Sequence, residues 1–258
     1  MKNKTLGTIG ALAIAGSLFL SALPFNQAHA LDASEKAEIE KVIREYLLKN
    51  PELMLEVQQA LEAKQRADQQ AAAAAALEDN ASVIFASKNQ GQIGNPDGDV
   101  TVVEFFDYNC GFCQRAMQDM NALLEGDKNL KFVMKELPIL SEGSVEASRV
   151  STAIYRLAPE KYGEFHNRLL GMQGTKDGER AIRLAEEMGL DLAAIQAEAA
   201  KDDVIDAFRE ANDLATKLGI NGTPSYVIGD EVIFGALGVD VLKGKIANVR
   251  KCGSTSCG

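Results

Sequence analysis

The stretch Val102-Val103-Glu104-Phe105-Phe106-Asp107-Tyr108-Asn109-Cys110-Gly111-Phe112-Cys113 constrains this chain more than any other. Its first half is β-branched and aromatic, the pattern of a buried strand. It ends in a Cys-x-x-Cys pair, and Gln114–Met120 behind it reads as a helix. Two cysteines on the first turn of a helix face unsatisfied backbone N–H groups and the positive end of the helix dipole. A free thiol with a pKa of about 8.5 is only slightly ionised at neutral pH, and such a site lowers that value by one to several units. Cys110 is therefore expected as an exposed nucleophile, with Cys113 one turn behind to resolve a mixed disulfide. The competing readings are half of a zinc site and an inert staple. Zinc takes four ligands, and outside the first 30 residues the chain offers only His166 and the distant Cys252/Cys257 pair. Closing so short a loop removes little chain entropy. Redox chemistry is the better reading, and neither a metal nor a cofactor is expected.

At the N-terminus, Lys2 and Lys4 precede an apolar run from Leu6 to Leu23 that ends in Ala28-His29-Ala30. A basic start, an apolar middle and an A-x-A site make a secretory leader, expected to be cleaved after Ala30. The remaining chain is then exported to an oxidising compartment. The full chain carries 27 basic and 37 acidic residues, a net charge of −10. Loss of Lys2 and Lys4 takes this to about −12, which argues against nucleic acid as a partner.

Residues 31–82 read as a separate helical segment. Asp32 or Ser34 can cap a helix whose apolar positions Ile39, Val42, Ile43, Tyr46 and Leu47 form one stripe. Asn50-Pro51-Glu52 reads as a stop and restart, with Asn50 as the next N-cap and Pro51 at the first helical position. Leu53, Met54, Val57 and Leu61 line the second helix. So few apolar residues cannot enclose a core, so the stripe must meet the catalytic domain or copies of itself, and self-association is the expectation. Beyond Leu61 the stripe fades into a polar run and six alanines, Ala71 to Ala76. That run reads as a helical spacer, since alanine is the strongest helix former.

Val83-Ile84-Phe85 reads as a short strand and Asn95–Asp99 as a turn leading into the central strand. Leu130–Leu137 is the next strand, stopped by Pro138. Strand, helix and strand make a βαβ unit, the context in which Cys-x-x-Cys signals a thioredoxin-like motif. Residues 141–218 read as several helices broken at Gly171, Gly174, Gly178 and Gly189. Strands Ser225–Ile228 and Val232–Phe234 and a closing helix over Val239–Arg250 complete the chain.

Phe105 through Cys113, together with Gly222-Thr223-Pro224-Ser225-Tyr226, resembles the DsbA-like branch of the thioredoxin superfamily. That resemblance implies an α/β thioredoxin fold with a helical insertion over about 141–218, in a catalytic domain spanning 83–258. It implies attack by Cys110, resolution by Cys113, and substrate contact through Gly111, Phe112, Thr223 and Pro224, with Pro224 in the position of a cis-proline. Glu104 falls where this branch places a buried acid that relays a proton to or from Cys113; a glutamate facing solvent from an edge strand is the plainer alternative. Ile43-Arg44-Glu45-Tyr46-Leu47-Leu48-Lys49-Asn50-Pro51-Glu52 is similar to the oligomerisation segment of the suppressor-of-copper-sensitivity protein C group. That second resemblance implies a periplasmic homotrimeric disulfide isomerase, kept reduced by a membrane thiol reductase and acting on unfolded or misoxidised exported proteins. A dithiol oxidase and a copper(I)-binding protein are the alternatives.

Gly111-Phe112 carries no charge to stabilise a thiolate, which leans towards a mild oxidant. Cys252 and Cys257 lie outside the family pattern and are open to three readings: a local disulfide, an auxiliary redox pair, or a copper(I) clamp. His166 is expected on a helix surface or in packing.

Overall fold

The computed structural model describes residues 32–258, and the expected leader with its cleavage site after Ala30 lies outside them. Two compact units are present, one ending at Gln59 and one running from Ala60 to Gly258.

In the first unit, α1 (Ala33–Lys49) starts with a capping box. Asp32 Oδ1 accepts from the N–H groups of Ser34 and Glu35 at 2.7 and 2.9 Å, and Glu35 Oε2 accepts from Asp32 N–H at 2.9 Å. The expectation that Asn50 caps the following helix needs correction. Its side-chain amide donates to the Tyr46 carbonyl at 2.8 Å, so it closes α1 instead. No residue of α1 is buried, and Ile39, Val42, Ile43 and Tyr46 all face solvent, as do Met54, Val57 and Leu61 of the next helix. That helix, α2 (Glu52–Asp79), runs unbroken through the six alanines.

The second unit is built on a five-stranded sheet in the order β1-β3-β2-β4-β5. β2 (Val100–Phe106) is central, parallel to β3 (Leu130–Glu136) and antiparallel to β4 (Ser225–Ile228). β1 (Gly91–Gly94) and β5 (Glu231–Phe234) pair antiparallel at the two edges. Strand alternation sorts the core into two layers. Val102 and Phe106 join Phe132, Met134 and Tyr226 on one face, and Val103 and Phe105 join Val133 and Val227 on the other.

The first face is covered by α4 (Gly111–Gly126), by α5 (Glu142–Leu157), α6 (Pro159–Gly171), α7 (Gly178–Glu187) and α8 (Leu192–Ala199), and by α10 (Val239–Cys252). The second receives α9 (Asp206–Lys217) through Ala211, Leu214 and Ala215, and Leu77 from the last turn of α2. Helices α5 to α9 are the insertion expected from the sequence.

Val83-Ile84-Phe85 is not a strand. It lies in a short helix, α3 (Ala81–Ala86), that buries Ile84 against the second face. The run is held in place by Ile84 packing into that layer and by the Val83 carbonyl, which accepts from Lys135 Nζ at 2.7 Å. β1 itself went unforeseen because Gly-Gln-Ile-Gly has no apolar alternation. Its first residue has to be glycine, since a Cβ on Gly91 would collide with the ring of Tyr162.

Candidate active site

Cys110 is the N-cap of α4, placed there by the chain leaving the C-terminal end of central strand β2. Its Sγ accepts from the Cys113 N–H at 3.3 Å and, as a thiol, donates to the Thr223 carbonyl at 3.2 Å. The Thr223–Pro224 bond ahead of β4 is cis. Both cysteines are free thiols in this structure. Cys110 is only 6% exposed, which corrects the expectation of an open nucleophile. Neighbouring backbone at Thr223 covers it, and Phe112, 58% exposed, forms the open rim instead. Arg115 lies 4.3 Å over the Phe112 ring.

The two thiols are driven apart. The Cys113 thiol, then the Thr223 side chain and the backbone N–H groups of Cys113 and Phe112, bring Cys110 down to about 6 against the pull of burial. Burial, the hydrogen bond with Cys110 and the charge of Glu104 push Cys113 far up. At neutral pH the pair is therefore a thiolate and a thiol.

Glu104 lies on the same face as Cys113, in the middle strand, not on an edge. It is 1% exposed. Burial first, then the charges of Cys110 and Asp119, raises its carboxyl to about 8.

Three further residues hold the site and were not singled out from sequence. Asp107 accepts four hydrogen bonds: from Asn109 N–H at 2.7 Å, Ile139 N–H at 2.9 Å, Leu140 N–H at 3.0 Å and the Ser144 hydroxyl at 2.7 Å. It ties the cysteine loop to the start of α5. Asn109 pairs in both directions with the Lys176 backbone, at 2.7 and 2.8 Å. Tyr108 meets the Ser151 hydroxyl at 2.7 Å, and Ser151 donates to Glu136 at 2.7 Å. A polar triplet, Asp107-Tyr108-Asn109, directly after a buried strand was the available signal. His166 packs edge-on to Phe106 with ring centroids 4.7 Å apart, and burial pushes it down to about 3. It is neutral and enclosed, a packing residue.

The structure thus brings together Cys110, Cys113, Thr223, Pro224 and Glu104, with Gly111 and Phe112 on the rim. Cys252 and Cys257 are elsewhere, joined to each other from the last residue of α10 to the tail behind it. Their loop is held by Asp230, which accepts from the Thr255 N–H at 2.9 Å. Among the described residues no group of three or more His, Cys, Asp or Glu side chains is arranged to hold a metal.

Comparison with known proteins agrees with this geometry. Residues 101–247 match the DSBA-like thioredoxin domain family, and residues 35–68 match the copper resistance protein ScsC N-terminal domain. Disulfide bond formation protein D of Bacillus subtilis is 26% identical over 166 residues, 60% of this chain and 75% of that protein. A thioredoxin-like oxidoreductase from Silicibacter pomeroyi DSS-3 is 40% identical, with a TM-score of 0.63 over 66% of this chain and 98% of that one. Proteus mirabilis ScsC in a compact conformation is 26% identical, with a TM-score of 0.64 over 84% of this chain and 99% of that one. A Cys-x-x-Cys pair at the head of α4 and a family match over more than half its length make the chain a member of the DsbA-like thioredoxin-domain family of thiol–disulfide oxidoreductases, preceded by a ScsC-type N-terminal domain.

Proposed function

We propose that the chain is an exported, periplasmic protein disulfide isomerase that works as a homotrimer. The observation that carries this reading is the uncovered apolar stripe of α1 and early α2, with Ile39, Val42, Ile43, Tyr46, Met54 and Val57 all exposed. An exposed patch of this kind marks an interaction surface, and self-association through it sets several Cys110 sites around one misoxidised substrate. A high local concentration of thiolates favours repeated attack on wrong disulfides.

In each cycle the Cys110 thiolate attacks a substrate disulfide, one substrate sulfur leaves as thiolate, and a mixed disulfide forms. A substrate thiolate then displaces Cys110, a redox-neutral rearrangement. Where none arrives, Cys113 attacks Cys110 instead and the substrate leaves reduced, so a membrane thiol reductase must return the pair to dithiol. Glu104 takes the Cys113 proton as that attack begins. Backbone groups of Thr223, beside Pro224, pair with the extended substrate chain, and Gly111 and Phe112 meet it at the rim. Cys252 and Cys257, bonded to each other, are a structural pair in this reading and not copper ligands.

The test uses the chain from Leu31 beside the same chain carrying Val42→Glu and Tyr46→Glu. The unsubstituted chain sediments as a trimer and reactivates scrambled ribonuclease. The variant sediments as a monomer, loses reactivation by about tenfold or more, and keeps its dithiol chemistry. A monomeric unsubstituted chain that oxidises reduced ribonuclease quickly and rescues none makes the protein a dithiol oxidase.

A further inference from the structure

Among the buried polar atoms that lack a hydrogen-bond partner within the described residues, Glu104 Oε2 and the Tyr226 hydroxyl belong to neighbouring strands on the face of the sheet that carries the cysteines. Both side chains are about 1% exposed. Leaving such groups unpaired in a protein interior is costly. Strand register places them together. Glu104 of β2 stands opposite Tyr226 of β4 on one side and Met134 of β3 on the other. Tyr226 has Ile233 of β5 as its remaining cross-strand neighbour. Directly opposed residues share a face, with Cβ atoms about 5 Å apart. Methionine and isoleucine offer neither group a strong hydrogen bond, so each is the other's polar neighbour across the strands. Tyr226 also feels the charges of Cys113, Asp119 and Cys110.

We propose that Tyr226 is a positioning residue for the resolving step: its hydroxyl donates to the Glu104 carboxylate through one water, and keeps that carboxylate ready to take the Cys113 proton. This rests on the proton-accepting role of Glu104 given above. In the step, the proton leaves Cys113 Sγ for Glu104, and Cys113 Sγ bonds to Cys110 Sγ. The bond between Cys110 and the substrate sulfur breaks, and its electron pair leaves with the substrate as thiolate, which is protonated by water. Over the whole exchange Cys110 and Cys113 lose two electrons together and the substrate disulfide gains them, so no other oxidant is needed. The charges acting on Glu104 are those of Cys110 and Asp119 of α4, and Cys113 of the same helix feels Glu104 in return. β3 presents Met134, and α10, packed over β2 and β4, buries Leu242 and Ile246.

The test is a single turnover with a fluorescently labelled glutathione disulfide. Attack by Cys110 leaves one labelled half on the protein, and its release by Cys113 is a first-order fall in anisotropy. Release is followed against pH in the unsubstituted chain, Tyr226→Phe, Glu104→Gln and the double variant. Phenylalanine keeps the ring and its packing, and thermal unfolding checks each variant. Tyr226→Phe is expected to move the midpoint of the profile up by about one unit, slowing release up to about tenfold at neutral pH. Glu104→Gln removes that titration, and Tyr226→Phe then adds nothing further. A Tyr226→Phe profile that overlays the original, or a shift that persists in the Glu104→Gln background, overturns the proposal. A profile that Glu104→Gln leaves unmoved overturns the Glu104 role itself, and the role of Tyr226 with it.

Discussion

Cys110 and Cys113 are the same residue type three positions apart, yet one ionises at about 6 and the other is held protonated. The difference lies in which atoms surround them. Cys110 Sγ lies at the open end of α4, where the Cys113 N–H reaches it, and Cys113 sits one turn inside the core with no water to solvate a charge. The largest influence on Cys110 is the Cys113 thiol itself. Alkylation of reduced protein by iodoacetamide is therefore expected to rise with pH through about 6 and level off above it. Cys113→Ala removes that thiol and is expected to move the midpoint up by about one unit, since one charge-directed hydrogen bond is of that size. A midpoint unchanged in Cys113→Ala would mean that the helix end alone sets the thiolate. The chemistry of the pair was legible in the sequence because spacing and helix position determine it. The cover over Cys110 was not, because it arrives from Thr223, more than a hundred residues along the chain. Neither could sequence order show that Lys135 and Glu136, at the end of β3, are both buried, since charges at a strand end ordinarily read as solvent-facing.

At the scale of elements, the same buried charge explains why α3 is where it is. Lys135 Nζ donates to Glu210 of α9 at 2.6 Å and to the Val83 carbonyl of α3 at 2.7 Å. Glu210 also accepts from Ser87 at 2.9 Å and from Gln90 at 3.2 Å. One ammonium thus fastens a strand and two helices on the face of the sheet away from the cysteines. Val83-Ile84-Phe85 reads as a strand from composition, and the long-range bond to its carbonyl is what sequence order could not reveal. The helices of the insertion and strands β2, β3 and β4 were readable because apolar periodicity or continuous burial marks them. Gly91–Gly94 was not, because its strand is defined by its partner β3 and by the room Tyr162 leaves. Lys135→Met leaves Glu210 without its counter-ion, and breaking a buried pair this way costs about 3 kcal/mol. The expected result is a lower urea midpoint with an unchanged Cys110 alkylation profile. Adding Glu210→Gln should recover part of the loss, because the uncompensated charge is then gone. A shifted alkylation profile would show that the two faces of the sheet communicate.

For the whole molecule, the ionisation of Cys110 ties folding stability to redox state. The relevant comparison is the dithiol protein against the same protein with Cys110 and Cys113 joined, because only the dithiol form has a thiolate to stabilise. In the folded dithiol form Cys110 sits at about 6, below the ordinary thiol value of about 8.5. A group whose folded value is depressed contributes stability that is complete above its unfolded value and is lost as pH falls through the folded one. The contribution of Cys110 is thus present above about 8.5, falls steadily below that, and is gone below about 6. Cys113, raised in the folded state, acts in the opposite sense only above its unfolded value, so it leaves this window untouched. The burial cost of Glu104 is felt in both redox forms, because burial is its largest cause. Thermal unfolding of the two forms is therefore expected to diverge as pH rises from about 6 to about 8.5, with the dithiol form gaining. The gain at neutral pH is on the order of 1 kcal/mol. That gain enters the exchange equilibrium directly, since whatever stabilises the dithiol makes the disulfide a stronger oxidant. If the two unfolding curves instead keep a constant separation across this range, the thiolate is not stabilised by the fold, and the reactivity of Cys110 must come from its leaving-group partner.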